Sequence, residues 1–511
     1  MTRTATALRA LAWIAPGAAL RRAQALGHFE TRAYDGARVG RRGDSFTASA
    51  TSANVEIGSA LTRLRNRSRD LVRNTSEGFR AIDVRTASTI GTGITVVPDN
   101  GSDRVDNLVK DLWAEWTATA DIEGINTFGG LQRLAWMSVL EGGDAVIRKM
   151  TPRDRTGMRV PLKLKLIEGD FIDAARDLGI FDGTNTRLGV GLGPHDERLG
   201  LWLHGQHPGD FNFYGAPFIS KFMPRSEAIH LFRPLRPGQV RGVPLLAPVL
   251  MNARDRADLM DAVLVKAKTE ACFSAFVETD GTTQKNLGQV ARDGEGGALS
   301  RMIERLAPGM INYLRPGEKV SFAEPKGSGQ FGEVYLAAAM AFAAGCGVTY
   351  DELTGDLRQA NYSSLRAGKM IGRRLALMDQ ELVVLPQLIR PVVGWFEDAA
   401  VISGALRPRK GGYRWDFIMP AVDAIDPRKD LEADILAVRA GRMTPQEFIA
   451  SWGQDWRKVV KDFNTFFEVL DKTSSSIVLD IDPRKTSQIG TAQAAPAEDA
   501  PEKSADDPAK P

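Results

Sequence analysis

Cysteine is nearly absent from this chain of 511 residues: Cys272 and Cys346 are the only two. That excludes a disulfide framework and a four-cysteine metal site, and it fits a reducing compartment. Histidine is almost as scarce, at His28, His195, His204, His207 and His230. His204, His207 and His230 suggest a metal triad, but no cysteine or carboxylate completes a familiar zinc spacing, so they read as structural histidines. No apolar run approaches the roughly 18 residues that a membrane-spanning helix needs. Gly368-Lys369 is followed by Met370, with no glycine six before the lysine, so there is no Walker nucleotide loop. HExxH, GxSxG and a Cys–His nucleophile pair are missing too. The net charge is only +3, which lacks the basic excess of a tight nucleic-acid binder.

What is present is length enough for two to four packed units, in an ordinary soluble composition, 43% hydrophobic and 25% charged. Residues 78–170 read as mixed α/β. Ala87 to Val97 reads as a strand crossing a bend at Gly91 and Gly93. Val105 to Thr117 reads as a helix with Trp113 and Trp116 on its core side, and Phe128 to Ala135 opens another. Asp144 to Met150 and Leu162 to Ile167 read as strands. Glu168, Asp170 and Asp173 form the densest acidic cluster. Acids this close can hold a divalent cation, which would make a metal-dependent nuclease. More often such acids are turn residues at a strand end.

Prolines 234, 237, 244 and 248 forbid continuous helix before residue 248. From 246 to 277 the residues Leu246, Leu250, Ala253, Ala257, Met260, Leu264, Ala267 and Ala271 alternate spacings of four and three. That is a helical stripe about 48 Å long, and its alanines admit a closely packed partner helix. Residues 279–328 are Gly-rich and polar, with a short helix near Ala298 to Leu306. A hairpin is expected around Arg315-Pro316-Gly317-Glu318. Phe331 to Ala344 is a second Ala-rich helix. Gly347 to Tyr362 reads as a polar loop. Behind it Ile371, Leu375, Met378, Leu382, Leu385, Ile389, Val392 and Phe396 mark one long amphipathic helix, kinked by Pro386 and Pro391. A strand is expected at Tyr413 to Met419. Helices should start after Asp426-Pro427 and Thr444-Pro445, with a third at Asp455 to Lys472. The tail from Thr491 has no hydrophobic pattern and reads as disordered.

Residues 1–73 carry thirteen arginines and no lysine against five acids, a local excess of eight positive charges. Arg63, Arg65, Arg67, Arg69 and Arg73 belong to a solvated helix face or contact DNA or acidic neighbours. The residues leave both readings open. The opening, MTRTATALRALAWIAPGAALRRAQA, faintly resembles an export signal and reads better as an amphipathic arm.

Several blocks of this sequence resemble phage portal proteins of the lambda type, in family order. They are Tyr34-Asp35-Gly36-Ala37 with Gly40-Arg41-Arg42, Ser52-Ala53-Asn54 before Glu56, and Leu64 to Asn74. Arg236 to Pro244 is another, followed by Tyr350 to Asp356 with Asn361 to Gly368. The resemblance covers roughly residues 34–480. It implies an α+β portal fold assembled as a ring. Its parts would be a basic arm (1–52), an α/β wing (53–245), a stem helix (246–278) and a clip (279–328). A second stem helix (329–346), a tunnel loop (347–363) and the long kinked helix (364–405) would follow. A wing return with helical crown (406–475) and a tail (476–511) would complete the chain.

The function so implied is structural rather than enzymatic, with no cofactor and no metal. A ring, a dodecamer by family analogy, would sit at one capsid vertex and pass double-stranded DNA during packaging and ejection. Its partners would be the terminase large subunit, major capsid and scaffold proteins, and later the head-tail connector proteins. Its place would be the virion, and the host cytoplasm during assembly. Thr354, Gly355, Asp356, Leu357, Arg358, Gln359, Ala360 and Asn361 would face the channel, with Arg358 repeated round the ring as a belt of positive charge. Asn361 and Ser363 would cap the long helix. Leu250, Ala253, Ala257, Met260, Leu264 and Ala267 would pack against neighbouring subunits.

Overall fold

The computed structural model describes residues 50–177, 179–181, 184–210, 219–272, 276–278, 312–314, 331–358, 361–421 and 426–472. The chain divides into two compact units, Met1–Glu56 and Ile57–Pro511. In the first, residues 50–56 are described, and the Thr51 hydroxyl donates to the Glu56 carboxylate at 2.9 Å. The expected arm through residue 49, the 298–306 helix, the hairpin turn at 315–318 and the tail from 491 lie outside the described residues.

Helix α1 (Ala53–Asn74) is followed by α2 (Ser76–Thr89), with Thr75 between them as the N-cap of α2. The expected strand at Ala87 to Val97 is therefore largely a correction: only β1 (Thr95–Pro98) is extended. Its first residues close α2 instead. There Thr86 and Ser88 turn their hydroxyls onto the carbonyls of Ile82 and Val84, at 2.7 and 2.8 Å. Such back-bonding satisfies Ser and Thr hydroxyls inside a helix at a small cost to it. Next come α3 (Asp103–Ala118) and α4 (Phe128–Gly142), the latter capped by Thr127.

Strand β2 (Asp144–Met150) is the centre of a three-stranded antiparallel sheet, flanked by β3 (Lys163–Glu168) and β9 (Ala228–Phe232). Ile147 stands opposite both Leu166 and Ile229. Between β3 and β9 runs a five-stranded meander: β4 (Gly179–Phe181), β5 (Thr184–Arg187), β6 (Val190–Leu192), β7 (Arg198–Leu203) and β8 (Lys221–Pro224). Alternation along β2 divides the interior, because successive side chains point to opposite faces. Val146 joins a small core with Val190, Leu192, Leu201 and Leu203. Ala145 and Ile147 face the main core.

Past β9 the proline-rich connector has no regular structure until a 3₁₀ turn at Ala247–Val249. Helix α5 (Leu250–Cys272) has 23 residues, about 35 Å, so it is shorter than the 246–277 span expected. Short strands β10 (Phe276–Glu278) and β11 (Asn312–Leu314) pair in parallel. Helices α6 (Phe331–Cys346) and α7 (Tyr350–Thr354) lead to α8 (Tyr362–Asp379). A π-helical segment, Gln380–Ile389, joins α8 to α9 (Arg390–Ile402). The wide turns sit where the two prolines were expected to kink the helix: Pro386 is inside the π segment and Pro391 opens α9. A π register redistributes the hydrogen bonds that a missing donor would otherwise break.

Phe396 of α9 meets Trp113 edge-on at 4.8 Å, and Phe128 lies 5.7 Å from Trp113 and 5.4 Å from Trp116. Strand β12 (Trp415–Ile418) then returns to pair antiparallel with β1. Three helices follow, α10 (Pro427–Arg439), α11 (Pro445–Ser451) and α12 (Trp456–Lys472). Asp426 and Thr444 cap the first two as the sequence suggested. Among the described residues no helix is long and apolar enough to cross a membrane.

One close approach fixes how the connector meets β2. A Cβ on Gly242 would fall on the Gly143 carbonyl oxygen, and one on Gly143 would lie 2.9 Å from the Gly242 carbonyl. Gly242→Ala should therefore cost about 3 kcal/mol, the upper end for overpacking. Gly404→Ala meets open space at φ +78° and should cost only the left-handed penalty of about 1 kcal/mol. Chemical denaturation midpoints compare the two, and equal shifts would refute the close approach.

Candidate functional site

The stretch between α6 and α8 is built by three local devices. Gly347 turns the chain out of α6 with φ +69°. Thr349 caps α7 through a full capping box: its hydroxyl accepts from Glu352 N–H, and the Glu352 carboxylate accepts from Thr349 N–H at 3.1 Å. The polar loop expected from Gly347 to Tyr362 thus holds a short helix, pinned by buried Leu353. Gly355, at φ +71°, ends that helix.

Thr354 closes α7, and Leu357 is 61% exposed. Arg358 clamps Asp356 with two bonds, Nε to Oδ1 at 2.8 Å and Nη2 to Oδ2 at 2.7 Å. These bonds, with the Arg358 backbone N–H, hold the Asp356 carboxyl well below the usual carboxylate range, and they raise the Arg358 guanidinium. In a single copy the cation expected to form a belt of positive charge is thus paired at the surface with the carboxylate two residues before it. Gln359 and Ala360 lie outside the described residues. Asn361 is the N-cap of α8, accepting from Ser364 N–H at 2.8 Å, and Ser364 completes the box. Ser363 is corrected as a cap. It stands exposed in the first turn, and the reciprocal position three residues after Asn361 is Ser364.

The seam expected along the long helix is covered only in part. Leu385, Ile389, Val392 and Phe396 are buried in the main core, whereas Ile371 is 60% and Leu382 65% exposed. The boundary is Asp379, buried and paired with Arg85 and with Arg233, the latter at 3.1 Å. Burial pulls the Arg85 pKa down more than Asp379 raises it. Gln380 beside it donates to the Thr89 carbonyl at 2.8 Å. Residues the sequence reading missed lie on α8: Arg366, Lys369, Arg373 and Arg374. Their spacing of three and four, in a stretch whose sole acid is Asp379, was the available signal.

The arginines of α1 part company. Arg65 and Arg69 are corrected as contacts for DNA or neighbours, because both are consumed inside the chain. Arg65 Nη2 donates to Asp144 at 3.0 Å, its Nε donates to the Gly142 carbonyl at 2.9 Å, and Nη1 pairs with Asp170 at 3.2 Å. Arg69 binds Glu168 at 3.0 Å and Asp170 at 2.7 Å. Arg63, Arg67 and Arg73 remain exposed.

Asp144 is the hub. Besides Arg65, it accepts from Arg241 Nε at 3.0 Å, His230 Nε2 at 2.9 Å and the Gly242 N–H at 2.7 Å. Burial alone would raise its pKa; Arg241, then His230 and Arg65, outweigh that and hold it low. His230 is pushed down to about 4 by burial, with Arg198 and Arg241 adding repulsion. Arg198 Nη1 lies 3.0 Å from Nδ1. The guanidinium must donate there, so the ring is neutral and carries its proton on Nε2. Both nitrogens are occupied, which removes His230 from any metal triad.

The acidic cluster likewise does not converge. Asp173 accepts from the Ser220 hydroxyl at 2.6 Å and pairs with Arg176 at 3.3 Å. Glu168 and Asp170 come together instead with His207, and the Arg69 guanidinium already sits on both carboxylates. The nuclease reading is set aside on that geometry. Of the stem stripe, Ala253 is corrected as an intersubunit contact. It is buried against the chain's own Val249, Phe342 and Cys346, and Leu250 packs partly on the same core. Ala257, Leu264 and Ala267 are exposed and Met260 is half-buried.

A family model described as phage portal protein, lambda family, matches residues 39–380. A probable portal protein of Halomonas phage phiHAP-1 is 24% identical over 424 residues, covering 79% of this chain and 80% of that protein. Portal protein B of Escherichia phage lambda is 21% identical over 474 residues, covering 84% and 88%. Among solved structures, a chain of the virion of a native gene transfer agent particle aligns with TM-score 0.40 at 14% identity. It covers 75% of this chain and 89% of that one.

Two outcomes follow from the geometry. Asn361→Ala should cost about 1 kcal/mol, and Ser363→Ala should lie within about 0.5 kcal/mol of wild type; equal melting shifts would contradict the cap assignment. Second, unfolded His230 binds protons from about 6.5 downward, and the folded residue only near 4. Its contribution is therefore complete above about 6.5 and is lost as pH falls through that window, at about 1.4 kcal/mol per pH unit. Denaturation free energies from pH 7.5 to 4.5 test this against His230→Gln, which should flatten the slope.

Proposed function

Because the chain belongs to the lambda family of phage portal proteins, we propose that its copies close a ring at one vertex of a phage-like capsid. The ring is a dodecamer, and double-stranded DNA is packaged and ejected through its lumen. The stem is α5 and α6, the clip spans 279–328, and the tunnel loop is 347–363. The long helix runs from 364 to 405, and α10 to α12 belong to the crown above the wing. With no nucleotide loop in its sequence, the ring depends on the ATPase of a terminase large subunit docked at the clip, which head-tail connector proteins later replace. Major capsid and scaffold proteins surround the wing. The protein works in the virion and is assembled in the host cytoplasm.

One observation beyond the family match carries this reading. A single copy leaves rows of large apolar side chains open on separate helices. On α12, Val460, Phe463, Phe466 and Val469 are 45%, 48%, 44% and 60% exposed. Leu264 and Val265 on α5 and Ile371, Met378 and Leu382 on α8 are similarly open. Isolated exposed apolar residues need no explanation, but contiguous rows mark surfaces that another protein covers. In a ring the neighbouring copies are that cover.

The decisive variants are Ala257→Arg and Ala267→Arg. Both positions are exposed in a single copy, so the isolated fold should change by no more than about 0.5 kcal/mol. In a packed interface an unpaired guanidinium costs several kcal/mol, on the order of 3–5. Negative-stain micrographs and light scattering should show uniform wild-type rings and heterogeneous or dissociated variants. Uniform rings from both variants would take the stripe out of the interface, and a wild type that never forms rings would overturn the portal reading.

A further inference from the structure

Helix α8 carries four cations, Arg366, Lys369, Arg373 and Arg374, and one acid, Asp379. Asp379 is buried and already holds Arg85 and Arg233. Arg366 pairs with Asp430 at 3.2 Å. Lys369, Arg373 and Arg374 are exposed and have neither ion pair nor hydrogen bond among the described residues.

A solvated basic face is ordinarily balanced by acids three or four residues away. Here those positions hold none. Around Lys369 they are Leu365, Arg366, Gly372 and Arg373. Around Arg373 they are Lys369, Met370, Ala376 and Leu377, and around Arg374 they are Met370, Ile371, Leu377 and Met378. Lys369 and Arg373 are like charges one turn apart, about 6 Å along the axis, a mildly destabilising pair. Among the described residues no carboxylate pairs with either cation, although Glu352 lines the same groove, so both remain open to an external anion. The groove beside the pair, about 400 Å³, is lined by Gly372, Ala376, Ala87, Ser88, Ala450 and Ser451 among others, with Glu352 its one acid. Nothing lies within 4 Å of a Cβ placed on Gly372. Small linings allow a bulky polyanion to approach.

We propose that Lys369, Arg373 and Arg374 are the phosphate-contacting face of this protein, and that the backbone of duplex DNA is their ligand. The assignment rests on the portal reading for why a duplex comes near α8. It adds a second source of positive charge behind the tunnel loop to Arg358, which is paired at the surface with Asp356.

The test uses the full-length protein carrying Lys369→Gln, Arg373→Gln and Arg374→Gln together. Its control exchanges the same three residues for the opposite basic type, Lys369→Arg, Arg373→Lys and Arg374→Lys. Affinity for a short fluorescent duplex is measured from 50 to 300 mM salt, beside micrographs of each protein. The slope of log affinity against log salt should fall by about 0.9 for each phosphate contact removed, and the charge-preserving control should keep it. Rings should form throughout. An unchanged slope in the glutamine variant overturns the proposal. So does loss of rings at unchanged duplex affinity, which would make an acidic face of a second copy the true partner. Wild type without rings defeats the portal reading instead, and the slopes still report on this face.

Discussion

A buried carboxylate governs how this chain is tied together. Asp144 has no exposed side-chain surface, and an unpaired charge there would be prohibitive. It is tolerated because four donors from three distant places converge on it: Arg65 from α1, His230 from β9, and Arg241 with the Gly242 N–H from the connector. Each donor is as buried as the acceptor, so none can leave without stranding the others. The consequence is geometric. The connector must pass within backbone contact of Gly143.

The same device recurs at Asp379, with a different result. There one carboxylate binds Arg85 of α2 and Arg233 at the end of β9, and it does so where the long helix changes character. On one side the helix is embedded, its Phe396 edge-on to Trp113 and Trp415. On the other, α8 packs against α2 and buries Ala376, while Ile371, Met378, Lys369 and Arg373 stay exposed. A π-helical segment joins the halves without a break in the chain direction, absorbing Pro386. At its other end α8 is tied down as well, by the pair between Arg366 and Asp430 of α10 at 3.2 Å.

Much of this was legible because periodicity survives whatever covers a helix. The four-and-three spacing found α5 and the long helix, alanine content found α6, and Pro after Asp426 and Thr444 found the starts of α10 and α11. Periodicity cannot say who does the covering. Ala253 and Ala257 belong to one stripe, yet the chain buries only the first, and Leu382 and Leu385 part in the same way. Asp144 was invisible for another reason. A lone acid at a strand start resembles any turn residue, and its partners lie 79 to 98 residues away in sequence. Arg65 sat in a run of alternating arginines, which reads as solvated surface whether or not one of them is buried. The 87–97 stretch misled because its first residues finish α2, with Ser88 bonding back to the Val84 carbonyl, a choice that composition does not reveal.

The distribution of charge then has a physical logic. Sixty-six basic and sixty-three acidic residues nearly cancel, and many arginines are consumed in pairs within the chain, as Arg65, Arg69, Arg85, Arg241 and Arg358 are. A surface built this way has little long-range field and would not seize a polyanion. Against that background unpaired cations among the described residues cluster on two helices, Arg63, Arg67 and Arg73 on α1 and Lys369, Arg373 and Arg374 on α8. Only on α8, the local exception, do the positions three and four residues from each of them hold no acid. A conduit requires such an exception to be shallow. One deep basic site would hold the duplex in a fixed position, because every phosphate contact must be broken, with counterions returned, before it can move. A shallow site repeated by symmetry behaves differently. As the duplex advances, contacts broken at one copy are matched by equivalent contacts formed at the next, so the energy along the path stays nearly level while the DNA remains centred. Screening within about 8 Å at physiological salt keeps each such contact weak, which is why the face proposed on α8 would guide a duplex rather than grip it.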